Sequence, residues 1–137
     1  MPHAARAKRL PASKPPGAAS DYLFPLFILI ICFVAFAPAL RGGFVWDDDQ
    51  YLSINKNVTE PGGVVRTWTS LKANPQYYPL VFSGYWLEHQ LWGLHTVGYH
   101  VTNILLHAVT AILLGRLLTQ LRVPGAWLAA ALFALHP

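Results

Sequence analysis

The chain has 137 residues, 54% of them hydrophobic and 12% charged, whereas an ordinary soluble domain carries roughly 25% charged residues, so a water-solvated globule is disfavoured and lipid is the expected solvent. The formal charge is +4, but Arg6, Lys8, Arg9 and Lys14 all precede the first apolar run, a membrane-orientation pattern that argues against a nucleic-acid surface. Cys32 is the single cysteine, which excludes an internal disulfide and a cysteine metal cluster.

Residues 1–20 are rich in Pro, Ala, Lys and Arg and offer too little apolar surface to offset the entropy of ordering them. They read as a disordered basic tail. Residues 21–40 form the first predicted membrane helix, with Pro25 expected in its first turn. The rival reading is a cleaved signal peptide, given the basic start and the Ala37-Pro38-Ala39 pattern. The apolar run is longer than the usual 7 to about 15 residues of such a peptide, and further apolar segments follow. Residues 96–118 are the second predicted span, 119–123 a short turn with Arg122, and 124–137 the start of a third. That last segment as a helix rises only about 20 Å, so the chain reads as the N-terminal part of a larger polytopic protein. Basic loops stay cytoplasmic, which places the tail and the turn inside. Residues 41–95 then lie on the extracytoplasmic side.

That loop is far longer than the roughly 12 to 15 residues of an unstructured connection. Trp46, Trp68, Trp86 and Trp92, with Tyr51, Tyr77, Tyr78 and Tyr85, suit the headgroup level. Residues 79–92, PLVFSGYWLEHQLW, predict an interfacial helix with Pro79 at its start and Ser83, Gly84 and Glu88 on a partly polar side.

FVWDDDQYL, residues 44–52, places three adjacent carboxylates beside the first span. Asp47 and Gln50 match a capping box, with Trp46 and Tyr51 at the hydrophobic-staple positions. Capping accounts for one aspartate and tolerates a second near a positive helix end. Three repel one another at the edge of lipid, where at least one should bind its proton more tightly, as a general base working near neutrality requires. Capping and chemistry both claim Asp47, so Asp48 is the residue expected to separate them, while Asp49 is expected to be a solvated bystander. Two of these carboxylates could hold a divalent cation, but they lack the spacing of a calcium loop.

Within the second span Thr96, His100, Asn103, His107 and Thr110 recur at intervals of 4, 3, 4 and 3, which lines them along one helix face. Such a polar stripe faces other helices or a cavity. His100 and His107 lie two turns apart, about 10 Å, too far to chelate one ion alone.

FVWDDDQYL, followed by YYPLVFSGYWLEHQLWGLHTVGYHVTNILLHAVTAILL and ALFALHP, resembles the N-terminal region of C-superfamily membrane glycosyltransferases fused to tetratricopeptide repeats. Animal members of that family look like protein O-mannosyltransferases. The resemblance implies an all-α, polytopic membrane enzyme that moves a sugar from a polyprenyl phosphate carrier to a protein or glycan hydroxyl. Its catalytic acidic pair would be Asp47 and Asp48. Tyr78, Glu88 and His136 are the secondary candidates for substrate contact. Where many relatives carry a basic residue before Pro-Leu, this chain has Tyr78 before Pro79 and Leu80. Relatives also continue beyond the His-Pro pair with another His and Glu, whereas His136-Pro137 ends this sequence. No cofactor or metal is required by this reading. The partners it implies are the bilayer, the lipid-linked donor, the acceptor and further helices of the same protein, in a bacterial inner membrane. The alternative is a noncatalytic membrane scaffold or assembly subunit; a transporter fits less well, because the aspartates lie outside the predicted span.

Overall fold

The computed structural model describes residues 20–136; the predicted basic tail, apart from its last residue, lies outside them. Among the described residues the chain is all-helical. The helix α1 (Ser20–Phe36) continues into a 3-10 turn (Ala37–Arg41), and a π-helical turn (Asp49–Ser53) follows the aspartates. Short helices α2 (Lys56–Thr59) and α3 (Gly63–Thr69) lead to α4 (Pro79–Trp92), the long α5 (Thr96–Gln120) and α6 (Ala126–Leu135).

Two stretches are long and apolar enough to cross a membrane, Tyr22–Arg41 and Thr96–Gln120. At 25 residues, α5 rises about 37 Å, against a hydrocarbon core of about 30 Å. The helix α6 has 10 residues and rises only about 15 Å. Because α1 begins at Ser20, Pro25 lies inside the helix rather than in its first turn, where its ring removes a backbone hydrogen bond.

Small side chains hold these three helices together. Ala108 and Ala111 of α5 meet Ala130 and Ala134 of α6, all four fully buried, with Ile28 and Cys32 of α1 and Ile104 of α5 completing the cluster. Close approach of backbones through small residues is how helices associate where lipid removes the hydrophobic driving force. Gly115 belongs to the same face: a Cβ there would lie 2.7 Å from the Trp127 ring. The other faces expose Leu23, Phe27, Val34, Leu106, Leu113 and Leu132. In water this would be an uncovered apolar surface; in lipid it is the solvated side.

Helices α2 to α4 form a cap over the start of α5. Leu52, Val58, Phe82 and Tyr99 are its buried apolar centre, with Tyr51 stacked on Phe82 at 5.5 Å and Phe44 edge-on to Tyr99 at 5.6 Å. An asparagine network ties the cap's loops. Asn55 accepts from the Asn57 amide (2.9 Å) and donates to Asn74 (3.1 Å), while Asn74 donates to the buried Thr67 hydroxyl (3.0 Å). Arg66 donates to Asn57 at 2.8 Å. Because the three asparagines and Thr67 are partly or wholly buried, each of them would carry a desolvation cost if left unpaired, whereas Arg66 is exposed.

The α2–α3 corner depends on Gly63, where a Cβ would stand 2.1 Å from the Asn57 carbonyl oxygen. That neighbour is backbone and cannot rotate away. Gly63→Ala should therefore destabilise the cap by about 1–3 kcal/mol or more, read as a lower thermal unfolding midpoint in detergent. An unchanged midpoint would contradict this packing.

Candidate active site at the acidic turn

The turn that carries the aspartates starts from a fixed point. Beyond the 3-10 turn, the Gly42 carbonyl accepts from the Thr96 hydroxyl at 2.9 Å and from His100 Nε2 at 3.3 Å. The end of the first apolar segment is thereby tied to the start of α5.

Val45 and Asp48 then close a small ring. The Asp48 amide donates to the Val45 carbonyl at 3.2 Å, and Asp48 Oδ2 accepts from the Val45 amide at 2.8 Å. Between them Trp46 is held at φ +56°, an uncommon conformation for a bulky residue, and its side chain is 96% exposed. The predicted capping box and staple are therefore not what forms. The Asp47 backbone carbonyl accepts from the Gln50 and Tyr51 amides at 2.9 and 3.1 Å; Trp46 turns outward instead of packing on the helix start. The bond that orders the turn runs backward from Asp48 rather than forward from Asp47.

The three carboxylates consequently have different surroundings. Asp48 is half-buried and committed to Val45. Asp49 is exposed, and its Oδ1 accepts from the Ser53 hydroxyl at 2.9 Å. Asp47 is exposed, and its carboxylate takes no hydrogen bond from the described residues. Asp48 therefore carries a structural contact of its own, and Asp47 has no such contact among the described residues.

Folding α4 back over the turn brings in a residue that sequence reading treated only as an interfacial aromatic. Tyr85 is half-buried, and its phenol is pushed upward first by desolvation, then by the charges of Asp48, Glu88, Tyr51 and Asp47. Tyr85 thus lies within electrostatic reach of both aspartates and of Glu88. No local sequence signal marks it, because the approach depends on the α4 fold-back. Glu88 is itself buried, and its Oε1 has no hydrogen-bond partner. Burial raises its carboxyl above the ordinary value, opposed by a hydrogen bond from Thr102. Tyr78 is exposed at the N-terminal edge of α4, and no described contact joins it to the aspartates.

The polar stripe of α5 has a separate location. His100, Asn103 and His107 line a cavity of about 230 Å³ together with Phe36, Ala39, Ile104 and His136. Among the described residues, no three His, Cys, Asp or Glu side chains gather as metal ligands. On the other side of the turn, Gln50, Lys56, Asn57, Arg66 and Asn74 line an open groove of about 590 Å³.

Membrane-length helices under a capped acidic turn define an α-helical membrane protein. Its sequence relatives are protein O-mannosyl-transferases. The chain is 28% identical to one from Caenorhabditis elegans over 126 residues, covering 82% of this chain and 18% of the relative. It is 30% identical to TMTC4 of Homo sapiens over 133 residues (78% and 18%), and 32% identical to Tmtc1 of Drosophila melanogaster over 123 residues (78% and 14%). The chain thus spans less than a fifth of each of these relatives. All three come from animals, so the likeness gives no indication of a bacterial inner membrane. No family model matches the chain, and no solved structure matches it at a significant level.

Glu88 makes the stability of this region pH-dependent. The folded protein holds its proton to higher pH than the unfolded chain, whose carboxyl titrates near 4.5. Stability is then greatest below that value and declines as pH rises through the folded one. Glu88→Gln should flatten the decline and raise the unfolding midpoint at neutral pH. A variant with the same pH profile as the wild type would show that Glu88 is not the source.

Proposed function

We propose that this chain supplies the acceptor-activating corner of a membrane glycosyltransferase, one that moves a sugar from a polyprenyl phosphate carrier to a hydroxyl of a protein or glycan. The sugar is mannose if the chain follows its relatives, which are named O-mannosyl-transferases. The observation that carries the reading is the division of labour between Asp48, bound to the Val45 amide, and the exposed Asp47. One carboxylate builds the turn, and the other is left available.

In this mechanism Asp47 accepts the proton of the acceptor hydroxyl as that oxygen attacks the anomeric carbon. The bond from the anomeric carbon to the carrier phosphate breaks, and the phosphate leaves with the electron pair. A single carboxylate base suffices for such a direct displacement, which inverts the anomeric centre. Asp48 positions the base, and Tyr85 lies within electrostatic reach of both aspartates. The groove beside Gln50 gives an acceptor chain a place to lie near the aspartates. The turn faces the extracytoplasmic side, where a lipid-borne donor and a water-soluble acceptor meet, and further helices of the same protein complete the donor cavity.

The test is sugar transfer from a polyprenyl carrier by the longer protein that contains this segment, at equal membrane abundance. Asp47→Asn should reduce the rate by about 100-fold or more, the usual scale for a lost general base. Asp48→Asn keeps an oxygen for the Val45 amide and should fall by about tenfold or less. Undiminished transfer by Asp47→Asn would overturn the assignment and leave a noncatalytic assembly role as the better reading.

A further inference from the structure

Trp46 is the residue of the acidic turn that folding does least to explain. The Asp48 amide closes a β-turn on the Val45 carbonyl at 3.2 Å, and Trp46 is the second residue of that turn, at φ +56°. A positive φ at this position is ordinarily taken by glycine, because a side chain crowds the backbone there. A tryptophan can offset that strain by burying its ring, which removes a large apolar area from water. This one does not. It is 96% exposed, and its indole has no hydrogen-bond or ring partner among the described residues. Both folding terms run against tryptophan, and glycine would fit the backbone better. Residues that break a local rule without a gain inside the fold mark positions where the gain is made with a ligand.

The neighbours narrow what that ligand is. Asp47 follows directly, with its carboxylate exposed and unpartnered among the described residues. No lysine or arginine lies between Arg41 and Lys56, while three aspartates do, so an anionic group at the ring would meet like charge. The turn offers a carboxylate that can only accept hydrogen bonds, beside an aromatic face that carries negative charge density. A pyranose ring has the matching parts. Its edge hydroxyls donate, and the slightly positive C–H bonds of one face rest on the indole.

The reach also agrees. In a direct displacement the base stands about 3 Å from the attacking oxygen, and that oxygen about 3 Å from the anomeric carbon. The ring undergoing transfer therefore begins two such contacts from Asp47. A tryptophan one residue away spans that gap, and the two hydrogen bonds between Val45 and Asp48 hold the backbone that turns it outward.

We infer that Trp46 is a stacking surface for the sugar ring that is transferred, holding its C–H face while Asp47 acts on the incoming hydroxyl. This rests on the function proposed above and adds to it a sugar-binding residue that acts through donor affinity, not through proton transfer.

The experiment compares binding of farnesyl phosphate mannose and of farnesyl phosphate to the longer protein that contains this segment, in phosphatidylcholine nanodiscs, so that the probes differ only in the sugar. Wild type should bind the mannosylated probe more tightly. Trp46→Gly should bind it about tenfold more weakly and leave farnesyl phosphate unchanged, with an unfolding midpoint equal to that of wild type or higher. Trp46→Phe should keep most of the preference, whereas Trp46→Leu, apolar but without a ring face, should lose it. In transfer assays Trp46→Gly should raise KM for the donor with kcat nearly kept. Asp47→Asn should lower kcat and leave the preference for the mannosylated probe in place. Equal binding of both probes by wild type, or an undiminished preference in Trp46→Gly, would overturn the inference. So would a clearly lower midpoint in Trp46→Gly, which would place the ring against another part of the protein. A preference that Trp46→Gly removes, together with undiminished transfer by Asp47→Asn, would support the stacking role and sink the choice of base; the reverse pair of results would do the opposite.

Discussion

The structure depends on what receives the Gly42 carbonyl. The first apolar segment ends at Arg41, and a helix end leaves carbonyls without partners. Thr96 and His100 supply the donors for Gly42 from 54 and 58 residues away. This joins the end of one membrane-length helix to the start of the other. The acidic turn can leave the bundle at only one place, and the cap is built over that place. The same contact draws His100 toward the cavity, so the turn and the polar stripe share a common anchor.

Above the anchor, order comes from short-range closure. Asp48 and Val45 exchange two hydrogen bonds, and Trp46 occupies a conformation that an isolated tryptophan avoids. Surrounding structure must over-determine such a residue, and these positions cluster at functional sites. Below the anchor, alanines and Gly115 let the helices approach closely. A rigid turn on a closely packed bundle keeps Asp47 exposed while its neighbours are committed.

The all-helical class and the two membrane-length segments were legible from composition and apolar run length, because lipid allows few alternatives to long helices. Likeness to protein O-mannosyl-transferases was legible in the succession of FVWDDDQYL and the later segments. The interior of the turn was not. A capping box is a forward, local pattern, and the observed bond runs backward because Trp46 adopts positive φ, which a tryptophan gives no reason to expect. Ser53 as a partner for Asp49 also requires the π-turn. Tyr85 comes within reach of the aspartates and of Glu88 only after α4 folds back. The histidines were readable as a stripe, but the cavity needed the end of α6 beside them. Inside the turn the misses follow from backbone conformation that the residue types do not announce, and elsewhere from contacts between elements, for which local periodicity holds no information.

Catalysis as proposed requires the aspartates to face the compartment of the acceptor, opposite the basic tail. This can be measured directly with one cysteine. Cys32 is fully buried in the bundle, so Asp49→Cys in a Cys32→Ala background gives a single reactive thiol on the turn, leaving Asp47 and Asp48 in place. In intact cells or sealed vesicles of known orientation, a membrane-impermeant maleimide should label it from the extracytoplasmic side. Labelling only from the cytoplasmic side would contradict the orientation and, with it, the placement of Asp47 as the base that meets an external acceptor.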